Sequence, residues 1–280
     1  MKQDAILVLT VLVAMSGGAL AQSAGRGQPQ VSPRVTPLGT QRLPKPAAKP
    51  EALPERLDRV LDRALASSGG KQAIGAVRDS VSTGTVTWFD LAGAAVSFPI
   101  TLTRKGDGKV QLVVQQPGGD VTLGSDGVEA WNSWNGFSVK VEGVGLGFIE
   151  SQSVRSPKNL WDVEGKGSVL RDLGVRKGKG PEESRVVEVE DKQGRKTSYV
   201  IDLATSKVVG LEFTTVETRS PFGGPPSRNV ETYGFSDFRG VRGVQTPHTI
   251  EHFRGGVKVE ELRFTTVQHN ASVKDSVFHR

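Results

Sequence analysis

The sequence predicts a mainly β domain of the α+β class: one antiparallel sheet of about eleven strands, capped by one or two short helices. Three observations lead there. From Val230 to Val267 the chain runs through three segments rich in β-branched and aromatic residues, with turns at Arg239-Gly240, Arg242-Gly243 and Gly255-Gly256. Within them apolar and polar residues alternate. Tyr233 and Phe235 share one face, Val244 and Ile250 another, Leu262 and Phe264 a third. Connections this short exclude parallel crossovers, so the segments form an antiparallel meander. The second observation is glycine, 34 of 280 residues, about 12% against an ordinary ~7%, which fits many tight turns and a bent sheet. The third is a single helical stripe ahead of the strands, which needs a sheet to pack on.

In chain order, the first segment reads as a targeting sequence. Lys2 precedes an apolar run from Ala5 to Met15, too short to span a bilayer comfortably, and Ala19-Leu20-Ala21 is an A-x-A cleavage site. Residues 1–21 are therefore expected to be a signal peptide, with the mature chain starting at Gln22. An uncleaved anchor is the competing reading. No twin arginine precedes the run, so the general secretory route is expected. The chain has no cysteine, hence no lipid acceptor at the cleavage site and no disulfide. The expected location is the periplasm, with secretion as the alternative. Residues 22–52 carry Pro29, Pro33, Pro37, Pro44, Pro46 and Pro50 and almost no large apolar side chain. Such a composition cannot offset the entropy of ordering and predicts a disordered, partly extended tether.

The folded domain is expected over residues 53–280. Leu53, Leu57, Val60, Leu61, Ala64 and Leu65 form one continuous helical stripe; Pro54 suits the first helical position and Gly69-Gly70 a stop. A shorter piece, Lys71 to Arg78, sets Ala73, Ile74 and Val77 on one side. From Val81 to Val141 roughly six strands follow, broken at Ala92-Gly93, Gly106-Asp107-Gly108, Pro117-Gly118-Gly119, Asp126-Gly127 and Asn135-Gly136. The strand from Ser97 to Arg104 places Phe98, Ile100 and Leu102 on one face, and the next places Val110, Leu112 and Val114. Residues 145–162 read as a broken helix or lid-like loop interrupted by Pro157. Strands resume near Ser168, and Ser220 to Pro226 is a loop insert bearing Phe222.

The final meander also carries a family resemblance. A strand ending in Asp237-Phe238-Arg239, a turn, then Gly243-Val244-Gln245-Thr246-Pro247-His248 and a last strand resembles the C-terminal part of the LolA/LolB-like periplasmic lipoprotein-carrier superfamily, the outer-membrane lipoprotein-sorting proteins. Ser198-Tyr199-Val200-Ile201-Asp202 with Lys207-Val208-Val209 resembles that family's preceding strand pair. Gly127-Val128-Glu129-Ala130-Trp131 resembles its turn-and-tryptophan hairpin. The similarity extends from about Leu53 to Phe278 in short motifs. It implies a half-open β-barrel whose concave side, lidded by helices, accepts acyl chains. The carriers' charged latch residue has no counterpart that can be placed here, and the lipidated cysteine of the membrane-anchored member is absent.

Chemistry-bearing motifs are sparse. His248-Thr249-Ile250-Glu251-His252 fits the inverted zincin pattern H-x-x-E-H. The β-branched Val244, Thr246 and Thr249 and the flanking Gly243 and Gly255-Gly256 place it on a strand instead. Strand positions four apart lie about 13 Å from each other, too far for two ligands of one zinc. A zinc enzyme is thus the distant alternative, and no metal site, cofactor or catalytic residue is assigned. There is no G-x-S-x-G elbow and no phosphate-binding glycine loop. Glu182, Glu183, Glu188, Glu190 and Asp191 read as a solvated charged face.

The aromatic residues are the candidates for function. Trp88, Phe98, Trp131, Trp134, Phe148, Trp161, Phe213, Tyr233, Phe253 and Phe264, with Leu102, are spread over nearly every strand and form the expected lining of an apolar cavity. A filled core is the alternative for each of them. The reading that results is a monomeric, non-catalytic periplasmic protein that binds a lipid or other hydrophobic ligand, carrier-like. The resemblance offers an envelope-stress sensing or protein-interaction module as the alternative. A net charge of +6 allows contact with an anionic membrane surface or an envelope protein. Nucleic acid is not an expected partner, because no basic helix or binding module is present.

Overall fold

The computed structural model describes residues 56–279 except 91, 107, 142–156, 162, 164–166, 178–182 and 218–226. The targeting segment, the tether, Pro54, Phe148 and the Ser220–Pro226 insert lie outside the described residues. Two helices come first, α1 (Leu57–Ser67) and α2 (Gly70–Gly75). Six strands follow: β1 (Asp79–Phe89), β2 (Ala95–Lys105), β3 (Lys109–Val114), β4 (Val121–Asp126), β5 (Ala130–Trp134) and β6 (Phe137–Lys140). After a 3-10 turn at Pro157–Trp161 come β7 (Val169–Lys177), β8 (Glu183–Glu190), β9 (Lys196–Asp202), β10 (Val208–Glu217), β11 (Ser227–Val241), β12 (Val244–Arg254) and β13 (Val257–His269), then a second 3-10 turn at Asp275–Phe278.

All described strands join one antiparallel sheet in the order β6-β5-β4-β3-β2-β1-β13-β12-β11-β10-β9-β8-β7. Thirteen strands replace the expected count of about eleven. The first half holds the six strands read between Val81 and Val141, including β5 and β6 of five and four residues joined by Asn135-Gly136 at φ 47° and 81°, so the excess lies in the seven strands of the second half. Every other connection in each half is a hairpin, and the first and last strands of the meanders meet at β1 and β13. That pairing, from Ser80↔His269 to Trp88↔Glu260, closes the two halves into one sheet.

Laid flat, thirteen strands would span roughly 58 Å, whereas an eleven-residue helix is only ~16 Å long. Yet Val60 and Ala64 of α1 share one continuous buried cluster with Val110, Leu123 and Ala130 of one half and Val187, Tyr199 and Phe213 of the other. The sheet curves around the helix, unclosed, and this inner face holds the core. The helical stripe lies as expected: Val60 and Ala64 are buried, Leu57, Leu61 and Leu65 half-buried. Full burial of a valine such as Val60 contributes about 1.5–3 kcal/mol, and of a single methyl such as that of Ala64 about 0.8 kcal/mol.

Local geometry fixes how the helices sit. Gly69 has φ 115°, and a Cβ there would fall 2.2 Å from the Gly243 carbonyl oxygen, so no other residue fits the corner between α1 and α2. The Gln245 amide donates to the Ser68 carbonyl at 3.1 Å. Across the helix, Ser67 Oγ donates to the Ser206 carbonyl and Arg63 Nε to Ser206 Oγ. The helical cap is thus tied to the β11–β12 turn on one side and the β9–β10 turn on the other.

The outer face has its own cover. Lys105 Nζ and Gln111 Nε2 donate to the Val273 and Val277 carbonyls, and Asp79 accepts the amides of Ala271 and Val273. These contacts draw the C-terminal segment across β2 and β3 and bury Phe278 completely. Elsewhere outward cations are paired with carboxylates: Arg171 with Glu188 and Glu190, Arg176 with Glu212, Lys258 with Glu251 and Glu261. Glu188 and Glu190 therefore belong to a charged ladder on the outside, each exposed pair contributing little to stability.

Candidate ligand-binding site

A cavity of about 220 Å³ lies on the inner face beneath the helical cap. Its floor comes from in-phase positions of five neighbouring strands. Leu211 of β10 pairs with Tyr233 of β11 and Phe235 of β11 with Ile250 of β12, while Phe264 comes from β13 and Ser82 from β1. Period two turns all of these to one side. Ile74 and Val77 come from the α2 side, and Trp161 from the first 3-10 turn. The wall is chiefly apolar, with a polar end formed by Ser80, Ser82, Arg104, Thr246 and His269.

Of the residues expected to line a cavity, Trp161, Tyr233 and Phe264 do so. Leu102 and Phe213 are buried in the same inner core, Phe213 stacked on Tyr233 with ring centroids 5.9 Å apart. Trp88 and Phe98 pack against that core further along, their rings 5.6 Å apart and tilted by 56°. Trp134 is half-buried opposite Val121. Trp131 and Phe253 are placed on the other side of the sheet. Trp131 lies over Gly124, where an added Cβ would come within 2.4 Å of its ring. Phe253 is one residue out of phase with the inward His252 and pairs with Lys258. A shift of one position reverses a strand side chain, which is why an aromatic residue alone does not report its face.

Beyond Tyr233, toward the opposite end of the inner face, the core turns ionic. Glu231 is 2% exposed and accepts three hydrogen bonds, from His252 Nε2 at 2.7 Å, Arg254 Nε at 3.0 Å and Thr215 Oγ1 at 3.0 Å. Burial works to raise its carboxyl, but these donors outweigh it and hold the group below the usual carboxylate range. An ionised carboxylate only accepts, so the proton of this contact sits on His252 Nε2. Glu260, paired in register with both His252 and Trp88, accepts from Trp88 Nε1 at 2.9 Å. Burial dominates there and raises its carboxyl, against the pull of His252, the Trp88 bond and Arg254.

The two histidines of the H-x-x-E-H pattern thus have separate partners on a strand: His252 bonds Glu231, and His248 Nδ1 lies 3.0 Å from the Thr246 carbonyl. Sequence reasoning missed Arg104, His269 and the ionic row. Glu231, Tyr233 and Phe235 do alternate in phase, and that was the available sign that a carboxylate faced inward.

No family model matches the sequence, and no curated protein matches it. Solved structures do match by shape. A domain described as an outer membrane lipoprotein-sorting protein from Vibrio parahaemolyticus superposes with TM-score 0.53 at 16% identity, over 79% of this chain and 97% of that one. A DUF1329 family protein from Desulfovibrio piger gives 0.54 at 12% identity, over 80% and 97%. A LolA superfamily protein from Nitrosomonas europaea gives 0.49 at 12% identity, over 78% and 96%. With its single curved, unclosed antiparallel sheet and helices on the inner face, this chain has the LolA-like fold.

Proposed function

We propose that this protein is a non-catalytic periplasmic binder of a hydrophobic ligand, holding an acyl chain on the inner face of the sheet. The observation that carries the reading is the cavity itself, lined by Leu211, Tyr233, Phe235, Ile250 and Phe264 beneath the helical cap. Moving apolar chain from water into such a space is worth about 0.8 kcal/mol per methylene. The export reading of residues 1–21 places the protein where such ligands occur, and the lipoprotein-sorting description of a structural neighbour is in keeping with it.

A fluorescent fatty-acid probe tests this directly. Binding at micromolar affinity or better, about −8 kcal/mol, is expected. Phe264→Arg puts a charge into the cavity wall and should abolish binding, whereas Phe253→Arg on the other face should not. Unfolding curves establish that both variants are folded. Binding no tighter than to an unrelated soluble protein would overturn the reading and leave a protein-interaction module.

A further inference from the structure

The ionised groups that line the cavity all carry one sign. Lys158, on the 3-10 turn that also supplies Trp161, and Lys207, at the entry to β10, line it together with Arg104. Among the described residues no carboxylate does so. Lys158 is exposed and Lys207 half-buried, whereas Leu211, Tyr233, Ile250 and Phe264 of the floor are buried. The two lysines therefore stand on the solvent side of the cavity and the apolar side chains at its depth. Arg104 has an interaction of its own and is not part of this pair.

Lys207 is held in place. Ser206, the residue before it, takes φ 56° and is tied to α1 through Ser67 and Arg63. The Lys207 ammonium lies 4.9 Å from the centroid of the Phe238 ring, another residue of the wall. An aromatic face attracts a cation but does not neutralise it. The carboxylate of the same hairpin, Asp202, accepts from the Ala204 amide and the Thr205 hydroxyl instead. Outward cations such as Arg171, Arg176 and Lys258 are paired with carboxylates. Among the described residues Lys158 and Lys207 form no ion pair. The rim of the cavity thus carries two uncompensated positive charges, which suit an anionic acceptor.

We propose that Lys158 and Lys207 hold the anionic head group of a single-chain amphiphile, with the chain running inward along Leu211, Tyr233, Ile250 and Phe264. This rests on the hydrophobic-ligand reading and adds to it the charge of the head and the number of chains. An ammonium is a point charge with three donors, so it takes a carboxylate or a phosphate oxygen alike. A head at the rim keeps part of its hydration while the chain leaves water. Size decides the number of chains. The cavity holds about 220 Å³, below the ~300–1,000 Å³ of sites for drug-sized ligands and above the ~150 Å³ that encloses one benzene ring. That is room for one chain rather than several.

The test compares decanol, decanoate and decyl phosphate on the full chain by titration calorimetry at neutral pH. The three share chain length and differ in the head group. Both anions are expected to bind about tenfold tighter than decanol at low ionic strength. That advantage should shrink in about 1 M salt, where the screening length is ~3 Å. The tighter of the two anions names the class of head group. Combining Lys158→Gln with Lys207→Gln should bring both anions down to the affinity of decanol and leave decanol unchanged. A preference for the anions that survives in the folded double variant would overturn the assignment to these lysines. Equal affinity of the wild type for all three would overturn the anionic head while leaving the hydrophobic-ligand reading in place. Binding of none would overturn both. The wild-type comparison decides on the anionic head even where the double variant does not fold.

Discussion

The imidazole of His252 lies flat against the phenol ring of Tyr233, with centroids 4.2 Å apart and planes 8° from parallel. The two are directly paired across β11 and β12. Phe213 stacks on the far side of Tyr233's neighbourhood, its ring 5.9 Å away and 12° from parallel. Three adjacent strands thereby present one aromatic tier, which separates the apolar cavity from the ionic row at Glu231. Because His252 is held by stacking and by Glu231 at once, its orientation is doubly determined.

Removing Glu231 should expose how much that row depends on it. Glu231→Ala takes the shared acceptor away from buried His252 and half-buried Arg254 and Thr215. Breaking a buried pair from one side typically costs about 3–5 kcal/mol. Urea unfolding at neutral pH is expected to show a loss in that range. A loss below about 1 kcal/mol would mean that water readily replaces the carboxylate.

Glu260 should behave in the opposite sense. Burial raises its carboxyl above the ordinary 4.5. Between the ordinary value and the raised one, the native state binds more protons than the unfolded chain, so stability falls as pH rises through that window and is level above it. Glu260→Gln keeps an oxygen for the Trp88 Nε1–H and removes the buried charge. The stability of the variant relative to wild type should therefore climb with pH from about 4.5 upward and then flatten. For Glu231, lowered in the native state, the sign reverses: its contribution is present above 4.5 and lost as pH falls through its native value. A difference between Glu260→Gln and wild type that does not change with pH would show that Glu260 is not perturbed.

Much of this architecture is written locally. Asn135-Gly136 takes up the two positive φ values of a tight hairpin, and the Val60–Ala64 stripe meets the sheet it required. The H-x-x-E-H run is a strand because its β-branched neighbours outweigh a motif whose chemistry needs a helix. The site is less legible, for a physical reason. Arg104, Ser80 and His269 meet only through the β2–β1–β13 register, which brings the last strand beside the first. Nothing local encodes that closure. Likewise Phe253 and His252 are neighbours with opposite faces, and only the pairing with β11 tells which one is inside.

The outer face yields the last prediction. Phe278, at the end of the second 3-10 turn, is fully buried. It is held there by the backbone of its own segment: Gln111 Nε2 donates to the Val277 carbonyl at 2.6 Å, and Lys105 Nζ to the Val273 carbonyl at 2.7 Å. Asp275 adds ion pairs to Lys105 and Lys109, but its side chain is 57% exposed, so those contribute little. The anchoring energy must then come mainly from the ring. Phe278→Ala should cost about 3–5 kcal/mol, the usual range for deleting a buried aromatic side chain. Asp275→Ala should cost under about 1 kcal/mol. Because the segment crosses the face opposite the cavity, the fraction of Phe278→Ala molecules that remains folded should bind the fatty-acid probe with unchanged affinity. Weakened binding by folded Phe278→Ala would show that the outer clasp also sets the shape of the inner face.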